Sequence, residues 1–166
     1  GFGEGLRRRG ETLVSVAKEY GEKSDQIVFL NKYVIPMFAE AAAIAGDPKQ
    51  TIEQRQVVVP ILGHAPWPTA KTALVPLIEK EPAVELRIAA LRALAAQQEK
   101  EVPALLMKLW PSAAPSVRRE ILEAMLRQPA RVNVLLDEIE ATRMKASELD
   151  PLRTRQLVNH KDATIR

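Results

Sequence analysis

The sequence predicts an all-α protein built from short helix pairs stacked one on the next, and three observations point there. Apolar residues recur three and four apart in one short segment after another, the period of a helix with a single buried stripe. Pro48, Pro66, Pro68, Pro82, Pro103, Pro111, Pro115, Pro129 and Pro151 fall between these segments or in their first turns, where a missing N–H costs nothing. One pattern also returns at a fixed interval. Leu86-Arg87 with Ala90-Leu91 and Ala93-Leu94 matches Val117-Arg118 with Ile121-Leu122 and Ala124-Met125, placing Arg118 31 residues after Arg87. It matches Gln54-Arg55 with Val58-Val59 and Ile61-Leu62 upstream, placing Arg87 32 residues after Arg55. Ala73-Leu74-Val75 and Ala104-Leu105-Leu106 keep the same interval in the partner helices. A pair this short cannot bury its apolar face alone, so like units must cover it on either side.

Taken in order, Gly1 to Gly5 form a loosely held start, and a helical pattern runs from Leu6 through Leu13, Val16, Ala17 and Tyr20 to Gly21. Ser24-Asp25 is a cap for the next helix, which carries Ile27, Leu30 and Val34 and, beyond a break at Pro36, Phe38, Ala41, Ala42 and Ala45. This opening pair, 1–46, is larger and more aromatic than the rest, with Phe29, Tyr33 and Phe38. It reads as a divergent first unit covering the upstream end.

The repeats then span 47–80, 81–111 and 112–143. In the first, Thr51 to Leu62 is a helix whose last turn Pro60 distorts, the stretch from Gly63 to Pro68 is a loop, and Thr69 caps a helix to Lys80 that Pro76 bends. In the second, a helix begins near Pro82 and buries Leu86, Ala89, Ala90, Ala93 and Leu94. A polar break at Ala96 to Lys100 leads to a helix from Val102-Pro103, burying Val102, Leu105, Leu106 and Leu109 before Trp110-Pro111 ends it. The third places helices at Ser116 to Leu126 and Ala130 to Thr142. Past Met144 the period fails. Asp150-Pro151, a cap and first turn, starts an extra short helix with Leu152, Leu157 and Val158, and Lys161 to Arg166 reads as the start of one more repeat, cut off. That cut predicts apolar surface open downstream, with self-association through this end. The chain begins at glycine, which reads as an excised fragment or processed product of a larger protein.

An apolar residue followed by arginine at a helix start, often after proline, and then small and aliphatic residues at helical spacing resembles the HEAT and HEAT-like (phycobilisome-lyase type) repeat. The likeness covers roughly Asp47 to Arg143. The stretch from Trp110 to Arg166 is also similar to the helical-repeat segment of large multi-domain bacterial proteins, in which a dehydrogenase-like propeller domain precedes the repeats and a c-type cytochrome domain follows. What the resemblance implies is a single right-handed α-solenoid domain, a non-catalytic scaffold for protein interaction or domain spacing, and a place outside the cytoplasm if the cytochrome likeness holds. Partners would be another protein or flanking domains of the same polypeptide. Two rival functions come from the same resemblance, a DNA glycosylase and a chromophore lyase. The first uses a basic concave face and the second needs more repeats than this chain contains.

Composition narrows the field independently. A chain of 166 residues with 46% apolar content can bury a useful core and is not of a disordered type. The formal charge of +3 comes from 24 basic and 21 acidic residues mixed along the chain, so no segment forms a strong footprint for phosphates. With no cysteine, disulfides, thiolate chemistry and haem attachment through Cys-x-x-Cys-His are excluded within these residues. The longest apolar runs, 33–39 and 57–62, are far short of a membrane span, and 13–17 is too weak for a signal core.

Arg55, Arg87 and Arg118 recur once per repeat. They read either as a cationic ladder for a ligand or as structural residues whose guanidinium groups bond carbonyls or carboxylates of the neighbouring unit; the sequence favours the second. His64 and His160 are the only histidines, with Pro68 and Thr164 at their i+4 positions, so no metal pair forms. Trp67 and Trp110 stand beside prolines at helix boundaries and are expected to seal gaps between pairs rather than anchor a partner. Ser112 and Ser116 lack a nucleophile turn, and Glu40, Glu79, Glu120 and Glu138 are ordinary residues of solvated faces, so no catalytic residue, cofactor or metal is expected. The resemblance implies that second helices line a concave side. Lys71, Val75, Lys108, Asp137 and Glu138 would then point outward as partner contacts, mixed in sign and better suited to protein than to nucleic acid.

Overall fold

The computed structural model describes residues 28–159; the expected helix from Leu6 to Tyr20, the Ser24-Asp25 cap and His160 to Arg166 lie outside them. The regular structure of the described residues is all helical, joined by turns and short loops, and contains no strand. The chain divides into two compact units at Glu99–Lys100, inside the polar break.

In the first unit a π-helical turn, Leu30–Val34, runs into α1 (Ile35–Gly46), with Pro36 in its first turn. The change from π to α spacing falls just before Pro36, where the proline ring takes a donor out of the ladder. Phe38, Ala41 and Ala45 are buried, whereas Phe29 and Tyr33 are more than half exposed and lean on each other at 5.2 Å.

Next come α2 (Ile52–Leu62), α3 (Trp67–Lys80) and α4 (Val84–Ala96). A reciprocal cap starts α2: Thr51 Oγ1 accepts from the Gln54 N–H at 3.2 Å, and Gln54 Oε1 accepts from the Thr51 N–H at 3.0 Å. Pro60 is accommodated because α2 closes two residues later in tight turns, Gly63 N–H to Pro60 O at 3.1 Å and His64 N–H to Ile61 O at 3.0 Å.

The Gly63–Pro68 loop is shorter than its proline content suggests. Trp67 and Pro68 already belong to α3, whose first bond runs from the Ala70 N–H to Pro66 O at 3.0 Å, and Thr69 lies in the first turn instead of capping it. Proline at the second helical position needs no donor and is already set at a helical φ, so Pro68 begins the helix where it was expected to delay it. Further along, α3 continues through Pro76. Both Pro76 and Thr72 are exposed, so the Thr72 carbonyl that loses its bond faces water. At α4 the start is Val84, with Pro82 just outside it.

Helix α2 packs against α1 and α4, while α3 packs against α1, α2 and α4. Val59, Leu62, Leu74, Ile78, Leu86, Leu91 and Leu94 are at most 2% exposed and form the core between them.

The second unit holds α5 (Val102–Leu109) with a 3-10 turn at Trp110–Ser112, α6 (Pro115–Leu126), α7 (Pro129–Glu140), a 3-10 turn at Ala146–Glu148 and α8 (Pro151–Val158). Helix α7 packs against both α5 and α6. Prolines again occupy first turns, so α6 and α7 each begin one residue before Ser116 and Ala130. Helix α7 also ends before Thr142, because Thr142 takes a positive φ of 56° that breaks the helix, and the N–H groups of Arg143 and Met144 fold back on Glu138 O. Asp150 caps α8, accepting from the Arg153 N–H at 3.0 Å. Of the three apolar residues expected on that helix only Leu157 is buried, beside Val132, Leu126, Leu136 and Leu149; Leu152 and Val158 are 65% and 63% exposed. At a helical period of 3.6, residues 152 and 157 fall on different faces, and α8 is too short to wrap its neighbours.

Candidate functional site

Each of the three arginines occupies the fourth position of its helix: Arg55 in α2, Arg87 in α4 and Arg118 in α6. Each turns its Nε–H back onto a carbonyl at the close of the preceding helical segment. Arg55 Nε donates to Ala45 O at 2.8 Å, Arg87 Nε to Ile78 O at 2.9 Å and Arg118 Nε to Trp110 O at 3.1 Å. The last carbonyls of a helix lack intrahelical donors and carry the negative end of its dipole, so a guanidinium is well suited to close them. The fork leaves further donors. Arg55, 6% exposed, pairs with Glu81, and Arg118 also donates to Pro111 O at 3.0 Å and Glu148 at 2.9 Å while lying 5.2 Å over the Trp110 ring.

A second device was not foreseen. Gln97, 7% exposed in the polar break, directs its amide NH2 at Leu62 O, Gly63 O and Ala65 O, at 3.3, 3.1 and 3.0 Å. This amide closes the end of α2 from the end of α4. Gly63 permits it: a Cβ there would stand 3.0 Å from Ala93 O. The only hint in the sequence was a glutamine among exposed-looking polar residues, and amphipathic spacing does not reveal such a partner.

Lys71 and Val75 lie one turn apart on α3, both half-buried, and Lys71 Nζ is 5.6 Å over the Trp67 ring. Lys108 and Asp137 are exposed on α5 and α7. Glu138 is half-buried and chelates Arg143 through both oxygens at 2.7 and 2.8 Å, and that bond holds its carboxyl below the usual range. Lys71 and Val75 thus belong to one unit and the other three to the second.

His64 sits half-buried in the turn after α2, and Trp110 is 4% exposed. Ser112 Oγ donates to Leu109 O, and Ser116 is half-buried near the start of α6. Glu40 and Glu79 are exposed and Glu120 half-buried. Among the described residues no group of three or more His, Cys, Asp or Glu side chains could hold a metal ion, and no helix is long and apolar enough to cross a membrane. Arg131 is buried near the start of α7, donating to Ala124 O at 3.3 Å; burial first, and Arg127 second, lower its pKa.

No protein-family model, curated protein or solved structure matches the chain.

Proposed function

We propose that the chain is a HEAT-like, right-handed α-solenoid segment that acts as a non-catalytic scaffold, docking another protein or spacing domains attached to it. The observation that carries the reading is the shared arginine geometry, in which one residue at the fourth position of three successive first helices closes the helical segment before it. Within each unit such a joint fixes a first helix against the segment before it and leaves the outward helix faces free for binding. Within the first unit, the packing of α2 against both α1 and α4 agrees with this, as does that of α7 against α5 within the second. Mixed charge on the candidate contact positions suits a protein partner.

Site-specific photo-crosslinking tests the reading. A crosslinker at Lys108 or Asp137 is expected to capture a discrete protein or a flanking domain in cells, whereas crosslinkers at both positions yielding no adduct would count against a scaffold. Duplex DNA supplies the counter-test. No mobility shift is expected at ordinary ionic strength, and a salt-dependent shift would replace this proposal with a nucleic-acid function.

A further inference from the structure

Within the second unit, a cleft of about 540 Å³ opens beside the first turn of α6, between the Trp110–Ser112 turn and the start of α8. Trp110, Arg118, Arg119, Glu148, Asp150 and Arg153 line it with apolar Leu122, and its donors outnumber its acceptors. Both oxygens of Glu148 are taken, one by Arg118 and one by the Lys145 N–H. Both oxygens of Asp150 are taken by Arg153, through its backbone N–H and its guanidinium. On the donor side, the indole Nε1–H of Trp110, itself 4% exposed, and the Nε–H of Arg153 are buried with no acceptor. Arg119 is exposed and makes no ion pair among the described residues. Ala114, in the cap position of α6, supplies no side-chain acceptor to the first-turn N–H groups.

Buried donors without acceptors are costly, and with Arg118 paired to Glu148 and Arg153 paired to both Asp150 and Glu123, Arg119 is the guanidinium in the cleft that meets no carboxylate among the described residues. A monoanion rich in acceptors matches Arg119 and those two donors, whereas a phosphate dianion would meet Glu148, Asp150 and, through Arg153, Glu123. We infer that this cleft receives the carboxylate of an acidic side chain on a partner polypeptide, with Arg119 as its ion-pair partner and Trp110 as the buried donor reached once the carboxylate enters. Leu122 and Ala113, both largely buried, form the apolar part of the cleft wall. The inference rests on the scaffold reading and adds the chemistry of the contact.

The test is a titration of the intact chain followed through the indole N–H resonance of Trp110, assigned with Trp67→Phe. The probe is a capped peptide carrying one glutamate between leucines, with its glutamine counterpart, sodium acetate and inorganic phosphate alongside. The expected result is a saturable downfield shift with the glutamate peptide, none with the glutamine peptide, and acetate and phosphate acting only at far higher concentration. Arg119→Ala, on an exposed position that leaves folding intact, is expected to weaken the peptide about tenfold or more. A glutamate peptide that produces no saturable shift, or one whose binding ignores Arg119→Ala, overturns the proposal, as does acetate binding equally tightly, which would make this a small-molecule site. Crosslinking of the whole chain that survives Arg119→Ala would overturn the cleft while leaving the scaffold reading in place.

Discussion

Arg55 shows what one side chain does when it closes a helix and balances a charge together. Its partner Glu81 is as sheltered as it is, with side chains 9% and 7% exposed, so truncating the arginine strands a carboxylate in a poor solvent. Arg55→Ala is expected to lower unfolding free energy by about 3 kcal/mol in urea denaturation, and adding Glu81→Gln is expected to restore part of the loss. A loss below about 1 kcal/mol would mean that water already reaches the pair. Gln97 makes the same point without charge. Gln97→Ala leaves three carbonyls around Gly63 without their shared donor, at an expected cost of about 2 kcal/mol by the same measurement. Gly63→Ala is expected to destabilise too, through contact with the Ala93 backbone rather than through φ, which is an ordinary −64°.

At the scale of single helices, ends decide more than middles. Thr142 holds a positive φ as a β-branched residue just past Ala141, the cap of α7, so Thr142→Gly is expected to raise the melting temperature, with a gain of up to about 1 kcal/mol. The reverse sign would show that the threonine side chain contributes more than its strain removes. Helix α8 depends on Asp150, whose carboxyl is held below its ordinary pKa first by the Arg153 backbone N–H and then by the Arg153 side chain. A carboxylate with a depressed folded-state pKa stabilises above its unfolded value, and that contribution is lost as pH falls through the folded value. Acid titration followed by the helical circular dichroism signal is therefore expected to show α8 loosening below the ordinary aspartate range, and Asp150→Asn to remove that step. Glu138, depressed by its bond to Arg143, adds to the same acid limb.

Across the whole molecule, burial is uneven, and local stability is expected to follow it. Helix α4 buries Leu86, Ala90, Leu91, Ala93 and Leu94, while α8 buries Leu157 alone. Native-state hydrogen exchange should find α4 amides among the slowest and α8 amides among the fastest, and equal protection would show that α8 is held by more than its one buried side chain. Within the first unit, Leu91→Ala is expected to cost about 2 to 5 kcal/mol, since Leu91 is fully buried and its truncation leaves a cavity in the core.

The sequence by itself determined the helical class, the proline-marked boundaries to within a few residues and the cap at Asp150. These are local properties, set by spacing along one helix and by residues three or four apart. It also located Arg55, Arg87 and Arg118, because a recurring position shows as an offset. Only tertiary structure decided where those guanidinium groups go, that Gln97 is buried across 35 residues of chain, that Arg55 meets Glu81 26 residues away, and that Trp110 and Arg119 line one cleft. It also decided that Leu152 and Val158 stay in water. A side chain's partners depend on which helix lies beside it, and helical periodicity says which face is apolar without saying what covers that face.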